Sequence, residues 1–337
     1  MSPLLLALVF VLALLLGLYF TPVARQAALR FGIVDRPDGR LKTHAEPTPY
    51  LGGLAVFLAY LLALGMVLEF DRTLLGILLA GTVTLLVGLV DDFGVLTPLA
   101  KLAGQGVAVF VLLRSGAVIE LAALPSALHW PVAAVWLLAV CNAFNLIDIM
   151  DGLAAGIGAI AALALAAGAL MAGQGPLAAA AAALAGALVG FAVFNVHPAK
   201  IYLGDAGALA VGLTLASIAL AIRWSEASPA GFLAPLSIFA VPLADTAYVT
   251  VLRARAGRPF WYGSPDHFPL RLLRLSGGRV RLTVARCYAL GGVGALLGIG
   301  TARSGDWGAA LVALGLFGAF FVALLARLAR VPMEPPS

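Results

Sequence analysis

Charge is scarce in this sequence: only 11% of its 337 residues are Asp, Glu, Lys or Arg, against roughly 25% in soluble domains. That shortage, set beside 62% hydrophobic residues and a mean hydropathy of +1.05, excludes an ordinary water-soluble fold. Cysteine is nearly missing. Cys141 and Cys287 each lie in or beside an apolar run, which excludes a disulfide scaffold and marks both as small buried residues. No Cys/His cluster has the spacing of a zinc site. The apolar runs are continuous rather than alternating, so a β-barrel is excluded as well. The formal charge of +5 is modest and needs no nucleic acid to explain it.

What is present is a succession of apolar runs near the length that crosses a bilayer as a helix. Eleven can be placed, at 3–20, 51–68, 73–90, 99–114, 130–147, 153–173, 176–194, 205–222, 231–252, 282–300 and 307–328. The expected fold class is therefore all-α, a polytopic helical membrane protein forming one integral membrane domain over 1–337. The first run has no basic residue before it and Arg25 and Arg30 after it, the reverse of a signal peptide, so it reads as a retained first span. Eleven crossings put the termini on opposite sides. With the N-terminus outside and the C-terminus in the cytoplasm, all but Arg72, Arg114, Arg223 and Arg303 of the 21 basic residues face inward, as the positive-inside rule requires. Gly294 and Gly298 form a GxxxG pair, and 153–194 is rich in alanine; both read as close helix packing.

That orientation gathers the acidic residues at inner ends of spans, next to the two longest connections, 21–50 and 253–281. Asn142, Asn145, Asp148 and Asp151 recur every three residues in NAFNLIDIMDGLAAG, a polar stripe along one side of a helix. Asparagines alone would read as helix-packing glue, but ionisable groups at membrane depth point to function. Asp91 and Asp92 end the third run in GLVDDFG, and taken alone they are as well explained as interfacial charges. Adjacent helical residues diverge by about 100°, so at most one of them can face a shared ligand directly, leaving the other to orient it or to bind a second group. Lys101 and Gln105 follow near the start of the next run, where a lone Lys is usually a snorkelling anchor. Beside two carboxylates it can equally hold a phosphate. Asp205, after Pro198 and Gly204, sits at a helix start, where an ordinary N-cap is the simpler reading and an anion site the functional one. Asp245 lies deeper than the other acids and reads as a structural partner for a basic or hydroxyl group. Clustered Asp and Asn oxygens suit Mg²⁺, which typically takes one or two carboxylates plus substrate phosphates. With Lys and Arg nearby, the pattern points to phosphate-group transfer at the membrane surface.

In these motifs the sequence resembles the polyprenyl-phosphate N-acetylhexosamine-1-phosphate transferases, which use a UDP-activated amino sugar to begin peptidoglycan, O-antigen, teichoic acid or N-glycan assembly. RLKTHAEPTPYLGG is similar to the first cytoplasmic motif of that family and VDDFGVLTPLAKLAGQ to its Asp-Asp motif. NAFNLIDIMDGLAAG resembles NxxNxxDGxDGLAxG, PAKIYLGDAGALAVG resembles the Gly-Asp-x-Gly-Ser motif, and PLADTAYVTVLRARAGRPF resembles PxxDxxxVxxxR. The resemblance implies that Asp205 with Asn145 holds Mg²⁺, or Mn²⁺ in its place, against the pyrophosphate. It implies that Asp91 deprotonates or orients the lipid phosphate, that Asp92 organises the phosphate region, and that Lys101 and Lys42 contact phosphates. It places Asp148 and Asp151 in the nucleotide pocket and Tyr202 where an aromatic ring stacks on uracil, leaving Asn142 as packing or outer support. His267 and Arg271 fall in the loop that covers the sugar.

The implied reaction is attack by polyprenyl phosphate on the β-phosphorus of the UDP-sugar, releasing UMP; a two-step route through a phospho-aspartyl enzyme stays open. Two departures from the family pattern matter. Ala208 stands where the motif has Ser, and DHFPLRL stands where the family has His-x-His-His. The second makes a GlcNAc-type donor the first expectation, with undecaprenyl phosphate as acceptor, and phospho-N-acetylmuramoyl-pentapeptide transfer or another UDP-HexNAc donor the alternative. An ion-coupled transporter, the competing reading from another class, would place its acids near the midplane, and an inactive scaffold would not keep all five acids. The expected location is the bacterial inner membrane with the site facing the cytoplasm. A homodimer is compatible with the sequence.

Overall fold

The computed structural model describes residues 2–35, 48–116, 125–258 and 264–333. Its elements in chain order are α1 (Pro3–Phe31), β1 (Val34–Asp35), β2 (Thr48–Pro49), α2 (Gly52–Gly65), α3 (Arg72–Asp92), α4 (Pro98–Ser115), α5 (Ser126–Ile147), α6 (Leu153–Met171) and α7 (Gly175–Asn195). There follow α8 (Gly204–Ala221), the short α9 (Trp224–Ala227), a 3₁₀ turn at Gly231–Leu233, α10 (Ala234–Ile238), α11 (Ala240–Arg255), α12 (Phe268–Leu275), α13 (Val280–Arg303) and α14 (Trp307–Leu328). Eight of these helices are long and apolar enough to cross a membrane. The chain is a polytopic helical membrane protein.

Local chemistry sets several boundaries. Ser2, Asp71 and Thr97 accept backbone N–H bonds at the starts of α1, α3 and α4, and Pro3 and Pro98 occupy first-turn positions where their missing N–H costs nothing. The run expected at 3–20 continues as helix to Phe31. Its 29 residues reach about 43 Å at 1.5 Å per residue, beyond a hydrocarbon core of about 30 Å. The connection that follows is shorter for that reason, and the β1–β2 pair, Val34 against Pro49 and Asp35 against Thr48, fastens its two ends. The run expected at 231–252 is broken. Gly231–Ile238 and Ala240–Arg255 meet at 66°, because Pro242 has no N–H to give the Ile238 carbonyl and the helix must restart at that point. α2, with 14 residues, is apolar but shorter than those eight.

Small residues decide what lies at the centre. In α7 and α8, 78% of the most apolar stretch is buried in protein, against 11% in α14. Every residue from Ala178 to Ala185 is buried, and α7 packs on α1, α6 and α2 while α8 packs on α3, α5 and α2. Without a hydrophobic drive inside lipid, such close approach of small side chains is what holds helices together. Gly294 and Gly298 do meet another helix closely: a Cβ on either would collide with α10 at Ser237 or Ile238.

Candidate active site

The site begins where α3 crosses α8. A Cβ on Gly88 would stand 2.5 Å from the Ala206 Cα and the Asp205 carbonyl oxygen, so glycine there lets the end of α3 rest on the start of α8. The two adjacent aspartates then diverge, as the helix geometry predicts. Asp92 turns to α8 and accepts the Asp205 N–H at 2.8 Å and the Ala206 N–H at 3.2 Å. It supplies from another helix the cap that α8 lacks, and Asp205 is thereby freed from capping to lie in the first turn with its carboxylate directed elsewhere. Gly204 makes the junction feasible: its φ is +75°, and a Cβ would sit 2.9 Å from Asp92 Oδ2 and 2.7 Å from the Tyr50 carbonyl.

Asp91 turns the other way, toward α4. Lys101 Nζ lies 2.6 Å from Asp91 Oδ2, 3.1 Å from Asp205 Oδ2 and 2.8 Å from Asn145 Oδ1. Asn145 Nδ2 in turn donates to Asp205 Oδ1 at 2.6 Å. The amide orientation follows from its neighbours, since an ammonium only donates and a carboxylate only accepts. Four helices, α3, α4, α5 and α8, thus converge through one ammonium ion. One step deeper, Gln105 and Asn142 exchange amide hydrogen bonds of 3.2 and 2.7 Å, which gives Asn142 a packing role.

The turn between α5 and α6 forms the opposite wall. Asn195 accepts the Gly152 N–H at 3.0 Å and donates to the Ile201 carbonyl at 2.9 Å, tying this turn to the segment before α8. Asp151 Oδ2 accepts from His197 Nδ1 at 2.7 Å and from the Ala199 N–H at 3.0 Å. Burial, reinforced by the charges of Asp205, Asp92 and Asp151, pushes the Asp148 carboxyl up to about 8. Tyr202 is held by its backbone: its N–H donates to the Pro49 carbonyl at 2.7 Å and its carbonyl accepts the Gly52 N–H at 3.0 Å. Burial raises the Tyr202 hydroxyl above its ordinary range, against a hydrogen bond to Thr48 and with the help of the Asp151 charge.

These walls enclose a cavity of about 740 Å³ lined by Asp35, Asp91, Asp92, Asp148, Asp151 and Asp205, together with Tyr50, Tyr202, His197 and, from α12 and α13, Leu270, Leu273 and Val280. A larger cavity of about 910 Å³ lies at the opposite ends of the same helices, between Asp71, Trp136, Arg223 and Trp224. Its lining gathers no comparable cluster of acids, which makes the smaller cavity the candidate site.

The remaining expected residues fall differently. Lys42, with its neighbour His44, lies outside the described residues. His267 and Arg271 are buried behind the cavity wall, not in it. His267 Nδ1 lies 2.6 Å from Asp245 Oδ2, and the Phe268 N–H donates to Asp245 Oδ1 at 2.8 Å; this is the partner that Asp245 was expected to have. Arg271 pairs with Asp266 at 2.8 Å, donates to the Val331 carbonyl at 2.6 Å beyond the end of α14, and stacks over the Tyr248 ring at 5.8 Å. His197, Asp35 and Tyr50 join the cavity without having been singled out. His197 and Asp151 are 46 positions apart, a separation with no local sequence signal.

Among the described residues, no three His, Cys, Asp or Glu side chains converge closely enough to hold a metal ion by themselves. The oxygens of Asp205 and Asn145 are hard donors of the kind that Mg²⁺ takes together with phosphate oxygens; here they are engaged by the Lys101 ammonium and by the Asn145–Asp205 hydrogen bond.

The sequence has recognisable relatives among known proteins. Residues 74–223 match the family described as glycosyl transferase family 4. Over 294 residues the chain is 30% identical to a Bacillus subtilis (strain 168) protein named probable undecaprenyl-phosphate N-acetylglucosaminyl 1-phosphate transferase, covering 84% of this chain and 81% of the relative. It is 32% identical over 323 residues to the decaprenyl-phosphate N-acetylglucosaminephosphotransferase of Mycobacterium tuberculosis (strain CDC 1551 / Oshkosh), covering 83% of this chain and 78% of the relative. A phospho-N-acetylmuramoyl-pentapeptide-transferase of Synechococcus sp. (strain RCC307) is 37% identical over 221 residues, 59% of this chain and 61% of the relative.

Proposed function

The chain belongs to the polyprenyl-phosphate sugar-1-phosphate transferases of glycosyl transferase family 4, and from that premise we propose that it transfers GlcNAc-1-phosphate from UDP-GlcNAc to undecaprenyl phosphate. An oxygen of the lipid phosphate attacks the β-phosphorus of the donor, the bond from that phosphorus to the bridging oxygen breaks, and UMP leaves with the electron pair. The observation that carries this reading is the Lys101 ammonium held between Asn145 and two of the aspartates that line the cavity, Asp91 and Asp205.

Each residue has a task that its geometry supports. Asp91, paired with Lys101 at 2.6 Å, orients the lipid phosphate or takes its proton. Lys101 offers the cationic group at the phosphate oxygens where charge develops in an in-line transfer. Asp92 keeps the first turn of α8 in place, and Tyr202, Asp148 and Asp151 form the nucleotide wall. Lys42 is proposed as a further phosphate contact. His267 and Arg271 act by anchoring α12, whose Leu270 and Leu273 close the cavity. A pyrophosphate enters a cavity lined by so many acidic side chains only if positive charge accompanies it, which is the physical reason for a divalent ion at Asp205 and Asn145. When bound, Mg²⁺ or Mn²⁺ would neutralise phosphate charge. We place the N-terminus outside, the C-terminus and the cavity in the cytoplasm, and eleven crossings in the inner membrane, with α2, α4 and the broken α10–α11 pair counted as spans.

The test is a turnover assay. Purified protein with undecaprenyl phosphate, Mg²⁺ and a panel of labelled UDP-sugars should release UMP and form a lipid-linked product fastest with UDP-GlcNAc. Preference for UDP-MurNAc-pentapeptide would overturn the donor, and no product with any donor from folded protein would overturn the activity.

A further inference from the structure

The pairing of His197 with Asp151 lies in the cavity wall and has no task in the reaction as described above. His197 Nδ1 sits 2.7 Å from Asp151 Oδ2, and the same oxygen accepts the Ala199 N–H at 3.0 Å. A carboxylate only accepts, so Nδ1 carries the proton. Both bonds fall on one oxygen, Oδ2, and the side chain is 19% exposed at the cavity. His197 is itself held. Its carbonyl accepts Arg281 Nε from α13 at 2.8 Å, and three residues on the Lys200 carbonyl accepts Arg25 Nε from α1 at 3.1 Å. The segment that leads into Tyr202 and Asp205 is therefore gripped from two helices, with the imidazole as its contact to the α5–α6 turn.

An acceptor fixed in this way is complementary to a ligand group that donates. Tyr202 lines the same cavity as Asp151 and brings an aromatic ring to it. A flat ring carrying an N–H at its edge satisfies both, and the uracil imide N3–H is such a group. We propose that His197 is a positioning residue for donor recognition, pinning Asp151 Oδ2 so that Oδ1 is presented as a fixed acceptor for the N3–H of the donor's uracil. The inference rests on the UDP-sugar reading given above and goes beyond it by naming which atom reads the base and which side chain aims it. Preorganisation is the physical gain. Without His197 the carboxylate turns about its χ angles, and the hydrogen bond to the base must absorb the cost of ordering it.

A chemical pair of probes separates this role from simple support of the loop. Binding of UDP and of N3-methyl-UDP to the full-length protein in detergent with Mg²⁺ is measured by titration calorimetry. Wild type should prefer UDP. His197→Ala should weaken UDP binding by about tenfold, the scale of one hydrogen bond to a charged group, while N3-methyl-UDP changes by less than about twofold, so that the preference collapses. His197→Asn, whose amide N–H can replace Nδ1–H, should restore most of it. Equal binding of the two probes by wild type overturns the inference whatever the stability of the variants. So does a His197→Ala protein that keeps the wild-type preference or loses affinity for both probes alike, the signature of a merely structural histidine. Wild type that binds neither probe overturns the nucleotide reading itself, an outcome distinct from all of these.

Discussion

Asp205 is held by Lys101 at 3.1 Å and Asn145 at 2.6 Å, and its place in the first turn of α8 favours negative charge. Asp205→Asn keeps the shape and removes the charge. The variant should fold with a thermal midpoint close to that of wild type and lose at least about 100-fold in Mg²⁺-dependent UMP release, the scale of removing one electrostatic catalytic group. Retained turnover would refute the assignment. Asp148 makes a different prediction. Its carboxyl is raised to about 8 by burial and by three neighbouring acids, while in the unfolded chain it titrates near 4. Between those values the folded protein holds a proton that the unfolded chain has released, so this group costs stability as pH rises through the window and no more above it. Melting curves with EDTA should therefore show Asp148→Asn gaining on wild type from pH 5 to pH 8 and the gap levelling off beyond. A gap that narrows with rising pH would show that the carboxyl is not raised.

Among the helices, α12 shapes the cavity, and α11 backs it through Asp245, without contributing a reacting group. α12 is only eight residues long and would not persist alone in water. It is fastened at its start by Asp245, fully buried, to His267 and the Phe268 N–H, and along its length by Arg271 to Asp266 and the chain after α14. Asp245→Ala leaves a buried imidazole and an N–H without their acceptor, a loss of about 3 kcal/mol. Thermal unfolding should fall by several degrees, and the KM for the UDP-sugar should rise because Leu270 and Leu273 lose their backing. Asp245→Asn keeps an acceptor for the Phe268 N–H and should lie between. A normal KM in a destabilised Asp245→Ala protein would detach α12 from donor binding.

For the whole molecule the open physical statement is orientation. Cys141 and Cys287 are buried, so background labelling by a membrane-impermeant maleimide should be low. Glu69, before α3, and Ala256, after α11, are exposed positions at opposite ends of the bundle. In intact cells Glu69→Cys should be labelled and Ala256→Cys protected until the membrane is opened. The reverse pattern would invert the proposed topology and place the aspartate cavity outside.

Composition and hydropathy determined by themselves that this chain lives in a bilayer as helices, because lipid leaves a backbone few other ways to satisfy its polar groups. They also singled out five acids that the structure brings to one cavity, since Asp91, Asp92, Asp148, Asp151 and Asp205 stand out only against an apolar background. The sequence could say that adjacent Asp91 and Asp92 must diverge, but not which would take Lys101 and which would cap α8. That choice depends on a helix crossing allowed by Gly88, between residues more than a hundred positions apart. His197 meets Asp151, and Arg271 turns from the cavity to the end of α14, for the same reason. Such pairings are fixed by packing between distant segments and leave no period or spacing in the chain, whereas burial in lipid acts on every residue locally and is written in the sequence throughout.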